Sequence, residues 1–186
     1  NAIQALEGVR FADGTRRLIM VTNGTVYTWS GSGNWSQPSG SYTLSTTAHI
    51  DIVIANNNVY FFDGTNTPPK FDGTSMSTVA AIPIGSFAEW YHNGLYVGGI
   101  SGSPNRLRIS NNGDPEDFSG GTQATIDVNP NDGDYITGLA TLHNELLVFK
   151  VNRVWSLTGF GTSALTIANL NERLTGFGTY SFCSIV

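Results

Sequence analysis

Four turns recur along this chain at a near-regular interval, and that interval restricts its possible folds more than any other feature. Asn23-Gly24, Asn57-Asn58, Asn93-Gly94 and His143-Asn144 each separate two runs rich in Val, Ile, Leu, Tyr, Phe and Trp. Tight hairpin turns need positive φ at their central residues, which Asn and Gly tolerate. Before the turns stand LIMVT, IDIVIA, FAEWY and ITGLATL; after them stand TVYTW, VYFF, LYVGG and ELLVFK. A third run follows each time (NWSQ, PPKFD, NRLRIS, RVWSLT), then a weaker fourth (SYTLS, STVAAI, ATIDV, LTIAN). The turns lie 34, 36 and about 50 residues apart, the long interval holding loops at Ser101–Pro104 and Asn111–Gly121. Four-stranded units at such a period mark the blades of a β-propeller. A β-sandwich also has many short strands, but not this four-beat order.

No stretch of a dozen residues carries an unbroken helical apolar stripe, so the expected fold is all-β. The expected units are 12–46, 47–83, 84–130 and 131–176, in one domain over 1–186. The inner strands are expected to be the most continuously apolar, sandwiched between neighbouring blades, and the outer ones more polar. The phase has an alternative, since NVYFFDG and RVWSLTG also align as one strand. Two runs are left over, Ala2–Phe11 and Thr179–Val186. They are expected to supply an outer and an inner strand of a fifth blade, because an unclosed ring exposes sheet edges. The middle strands of that blade are missing. The expectation is therefore about five blades, the fifth incomplete, in a chain that continues past Val186.

Composition excludes several functions. Only 12% of residues are charged, against about 25% in an ordinary domain. The net charge is -5, and only Arg16-Arg17 and Arg106/Arg108 bring basic residues close together. A phosphate backbone needs a basic stripe, so sequence-specific nucleic-acid binding is not expected. No run approaches the ~18 apolar residues of a spanning helix, and no membrane partner is expected. The single cysteine, Cys183, rules out an internal disulfide and a Cys-based zinc site; its apolar surroundings suit a buried thiol.

The wording of Asn105–Gly161 adds a resemblance. Asn105–Gly121, Asp134–Lys150 and Arg153–Gly161 contain "NRLRIS", "GDP", "DF", "ITGL", "LLVFK" and a Trp-bearing strand. The segment resembles a propeller-like part of phage tail and neck structural proteins of the tail tubular, or nozzle, type. The match covers about a third of the chain closely. It implies a β-rich ring around a DNA channel without catalytic residues, and the family's members are usually much longer. No functional residue is carried over, because the matched motifs are turns and strands. Gly113-Asp114-Pro115 reads as a turn and Phe118 as a plug returning its loop to the blade. Leu146, Val148 and Phe149 read as a buried strand, and Trp155 as filling between blades.

Each candidate site has a framework reading beside the functional one. Asp127-Val-Asn-Pro-Asn-Asp132-Gly-Asp134 partly mimics a calcium loop, but its Gly is one place late and no Glu closes it. An ordinary turn is the stronger reading. Gly159–Ala164 matches a dinucleotide fingerprint by letters only and leads into a strand. Asp51, Glu89 and Glu145 lie near the hairpins, where a glycosidase propeller would carry two acids, but at different places in each unit. His49, His92 and His143 are far apart, and the last two suit a turn role. Trp35, Trp90, Tyr42 and Tyr91 suit sugar stacking, whereas Trp29 and Trp155 lie within apolar strands. Asn23 and Asn34 begin glycosylation sequons. The expected catalytic, cofactor and metal residues are therefore none.

The expected function is a non-enzymatic scaffold of a phage virion tail or neck, assembled in the host cytoplasm. Its expected partners are other tail or neck proteins and further copies of itself, contacted through loops such as Asn111–Gly121. The alternative expectation is a glycan-binding propeller used in host attachment.

Overall fold

Hairpins build this molecule, and the computed structural model describes residues 2–159 and 165–170. Positive φ occurs at Asn23 and Gly24, Asn56 and Asn57, His92 and Asn93, and at His143. Two of the turns thus sit one residue earlier than the sequence spacing suggests, with Asn58 and Gly94 already opening strands. His92 and His143 fill turn positions, as expected. Gly24 has a second constraint, since a Cβ there would lie 2.6 Å from the Leu44 carbonyl oxygen.

Four blades result. The first holds β1 (Ile3–Arg10), β2 (Arg16–Thr22) and β3 (Thr25–Trp29). The second holds β5 (Asp51–Ala55), β6 (Asn58–Phe62), β7 (Pro69–Phe71) and β8 (Ser75–Thr78), joined at its edge by β4 (Ser39–Gly40). The third holds β9 (Phe87–Tyr91), β10 (Gly94–Gly98), β11 (Arg106–Ile109) and β12 (Ala124–Asp127). The fourth holds β13 (Ile136–Leu142), β14 (Glu145–Lys150), β15 (Val154–Thr158) and β16 (Thr166–Asn169). Pairing within blades is antiparallel; only β4 runs parallel to its neighbour β8. No α-helix occurs among the described residues. The fold is all-β, with its blades in a propeller arrangement.

The blade count and phase differ from expectation. Among the described residues four blades form rather than about five, and Ile3–Arg10 is not an end strand. It pairs along β2 as the innermost strand of the first blade and packs on β5. Asn23-Gly24 therefore joins a second strand to a third, whereas the other three turns join first to second. The expected fourth strand of the opening unit, SYTLS, is not a strand. Its chain crosses instead to the second blade: β4 pairs with β8, Leu44 enters the core, and the Ser45 amide donates to Asp63 Oδ2 at 2.7 Å. The other leftover run, Thr179–Val186, lies outside the described residues, as does Cys183.

Three apolar cores lie between the four blades. Strand alternation directs Val59 and Phe61 of β6 toward the first blade and Tyr60 and Phe62 toward the third. In β10, Leu95 and Val97 face the second blade while Tyr96 faces the fourth. The most completely buried strands are accordingly the second strands β6 and β10, not the inner ones. Each fully buried side chain of this size contributes about 1.5–3 kcal/mol. Leu146 and Val148 occupy the third core as expected, and Trp155 packs beside them. Phe149 does not: with period 2 it falls on the opposite face of β14 from Val148.

The loop Asn111–Gly121 is fastened to the second blade. Phe118 is 7% exposed and enters the core between the second and third blades, which is the plug role anticipated for it. Glu116 Oε1 accepts hydrogen bonds from Tyr60 Oη at 2.8 Å and Lys70 Nζ at 2.7 Å. Asn111 Oδ1 accepts from the amides of Thr122 at 2.7 Å and Gln123 at 2.9 Å, closing the loop's base.

Candidate functional site

Three inner strands bring carboxylates toward one another. Asp51 on β5 is 4% exposed, and its Oδ2 accepts the Ala88 amide of β9 at 2.8 Å. Burial pushes the Asp51 carboxyl up to about 7; the Ala88 amide opposes that rise, and the charges of Glu89 and Glu7 add to it. Burial also raises Glu89, against hydrogen bonds from Thr141 on β13. Of the acids anticipated at the hairpins, Asp51 and Glu89 thus come together. Glu145 does not, and it accepts from Ser156 Oγ at 2.5 Å. Glu7 is not legible in the sequence as their neighbour, because Ala2–Phe11 reads there as an end strand of a fifth blade.

Asp51 is a clamp between adjacent inner strands, held at an electrostatic cost. Its folded-state pKa lies above the unfolded value of 3.8, so the folded protein keeps a proton that the unfolded chain releases. Stability therefore falls as pH rises between those two values, by at most about 1.4 kcal/mol per pH unit. Asp51→Asn retains an acceptor for the Ala88 amide and removes the charge. The variant is expected to be more stable than the parent above neutral pH, with a flatter profile across that window. Urea titrations at several pH values measure this; a variant no more stable than the parent at alkaline pH contradicts it.

The oxygen-rich loop 127–134 already holds a cation, the ammonium of Lys150. Lys150 is fully buried on β14. Its Nζ donates to the Val128 carbonyl at 3.1 Å, the Asn129 carbonyl at 3.3 Å and both Asp132 carboxylate oxygens at 2.8 Å. Arg153 Nη1 reaches Asp132 Oδ2 at 3.1 Å. Burial works to raise the Asp132 pKa, but the Lys150 hydrogen bond and further donors outweigh it and hold the carboxyl low. Asp127 is engaged elsewhere, in a two-pronged pair with Arg106. Asp134 accepts the amides of Tyr135 and Asn152. The oxygens that suggested calcium thus serve three side-chain cations, Lys150, Arg153 and Arg106, and nearby backbone amides. Among the described residues, no group of three His, Cys, Asp or Glu is placed to hold a metal.

Most remaining polar candidates also hold the framework. Asp13, Asp63 and Asp72 each begin an Asp-Gly-Thr turn, and each Oδ1 accepts the amide two residues on at 2.8 Å. That recurring tripeptide was a readable signal of structural acids. Gln4 accepts the Gly24 amide at 2.7 Å and donates to the Ser45 and Ala48 carbonyls. Tyr42 Oη accepts the Val26 amide at 2.9 Å, satisfying the open edge of β3. Tyr91 is buried and donates to the Asn144 carbonyl, and Trp90 packs on the core between the second and third blades. Of the four aromatics weighed for sugar stacking, Trp35 alone stays on the surface, 38% exposed and tilted against Trp29 at 6.3 Å. His49 is exposed, and what desolvation it has lowers its pKa. Phe160–Ala164, the body of the glycine-rich fingerprint, lies outside the described residues.

Fold and polar architecture together define an all-β protein of the propeller type, in which nearly every notable polar group fastens a turn or joins two blades. No family model matches the chain, and no curated protein matches it.

Proposed function

We propose that this chain is a non-enzymatic structural component of a phage tail or neck, a rigid propeller scaffold that other subunits assemble upon. The observation that carries the reading is the use of its polar groups. The loop acids, the buried Lys150 and the inner-strand Asp51 are spent on joining blades and holding turns, which suits a load-transmitting part. The resemblance of Asn105–Gly161 to tail tubular proteins supplies the phage setting. The expected partners are neighbouring tail or neck proteins and further copies of the chain. The mild net charge of -5 fits a surface that does not retain DNA, although salt screens such repulsion beyond about 8 Å.

Peptide mass spectrometry of purified phage particles, with inspection of the genes beside its own, tests the proposal. The expected result is recovery in particles at a fixed ratio to other tail proteins, with portal, terminase or tail genes adjacent. Absence from particles overturns it.

A further inference from the structure

The outer face of the first blade is the kind of surface that the other blades bury. In the register of β1, β2 and β3, Leu6 faces Met20, Gly8 faces Leu18, and Leu18 faces Trp29. These alternate with Ile19, Val21 and Val26, which fill the core toward the second blade. The corresponding face of each later blade packs on the blade before it, through Phe61, Val97 and Val148, all fully buried. On the first blade no described strand takes that preceding place. Leu6 is 53% exposed, and a Cβ built on Gly8 meets nothing within 4 Å. Gly8, Leu18 and Trp29 floor a cleft of about 550 Å³ with Arg10 and Arg16 at its rim.

The rim indicates what the cleft takes. Arg10 and Arg16 occupy directly paired positions, and neither has an ion-pair partner among the described residues. Like charges opposite one another destabilise a sheet until a carboxylate lies nearby. Two first blades meeting face to face would oppose four arginines, so a symmetric pairing is disfavoured. The outward face of the fourth blade has the complementary character. Leu142, paired with Glu145, is 54% exposed, and Leu147 and Phe149 continue the same face outside the three cores.

Position agrees with charge. Glu145 is the first residue after the β13–β14 turn, and Arg16 opens β2 after the β1–β2 turn. First hairpins of adjacent blades meet at one end of the blade assembly: the Ala12 amide donates to Asn57 Oδ1, and Tyr91 Oη donates to the Asn144 carbonyl. Repeating that blade-to-blade step between molecules brings Glu145 of one copy beside Arg10 and Arg16 of the next.

We propose that the first blade's outer face is a docking surface for the fourth blade of a second copy, in a head-to-tail contact that closes into a ring or extends as a chain. The contact names a surface and an occupant for the scaffold reading and rests on it. A failure here leaves incorporation into particles untouched, whereas absence from particles leaves self-association untouched. Sedimentation velocity and light scattering across a wide concentration range test it on the intact chain. The expected result is a mass that grows with concentration in multiples of 19.9 kDa. Gly8→Arg fills the cleft in open space and is expected to leave a monomer with unchanged circular dichroism. Arg16→Glu and Glu145→Lys are each expected to do the same, and their combination to restore association. A parent that stays monomeric, or a Gly8→Arg variant that associates like the parent, overturns the proposal.

Discussion

Lys150→Met is expected to lower the unfolding free energy by about 3 kcal/mol, the low end of the range for breaking a buried ion pair. The loss comes from what stays behind. The Asp132 side chain is 6% exposed, and without the ammonium it keeps Arg153 as its nearest cation. The Val128 and Asn129 carbonyls lose the donor that Lys150 supplies. For a chain of this length the loss corresponds to roughly 6–12 °C in melting temperature. Adding Asp132→Asn is expected to recover at least half, because removing both charges costs far less than stranding one. The low Asp132 pKa sets a pH signature. The pair's contribution is complete above the unfolded value of 3.8 and is lost as acid titrates the folded carboxylate. Urea denaturation of the two single variants and the double gives the coupling directly. A single-variant loss within ordinary surface effects, about 0.5 kcal/mol, contradicts the account.

Phe118→Ala is expected to cost about 3–4 kcal/mol, since it empties part of the core that fastens the third blade's long loop to the second blade. Arg108 lies 5.8 Å from the Phe118 ring centroid, and losing that contact adds a few tenths to this. The loop has other attachments, chiefly Glu116 to Tyr60 and Lys70. The variant should therefore stay folded while the loop opens more often. Hydrogen exchange resolved by peptide is expected to show the largest acceleration within 111–121, with the β13–β14 hairpin little changed. Phe118→Leu, which keeps most of the volume, is expected to cost under about 1.5 kcal/mol. Uniform acceleration over the whole chain would instead make Phe118 an ordinary core residue with no special hold on the loop.

Turn chemistry made the hairpins readable because positive φ is a local demand, met by Asn23, Asn57, Asn93 and His143 wherever they lie in a blade. The same locality explains the error of phase. Asn23-Gly24 between second and third strands looks the same as a turn between first and second, so the pattern counted hairpins without ordering them. The turn reading of the oxygen loop left out its buried ammonium for another reason. Lys150 lies 18 residues beyond Asp132 and reads as the polar end of an apolar strand. An ammonium and a metal ion seek the same carbonyl and carboxylate oxygens, so the loop letters alone do not distinguish them. Glu7 and Asp51 share an environment only because β1 packs on β5.

Residue pattern by itself determined that this chain is all-β, built of repeated short strands joined by positive-φ turns, with a loop plugged by Phe118 and a Trp155 set between blades. Tertiary structure decided the number of blades, the innermost place of Ile3–Arg10, the cation in the 127–134 loop, and the outward turn of Phe149. The physical reason is that alternation with period 2 assigns residues to two faces without naming the neighbour that covers either. Which face is buried, and by which blade, depends on the packing of whole sheets.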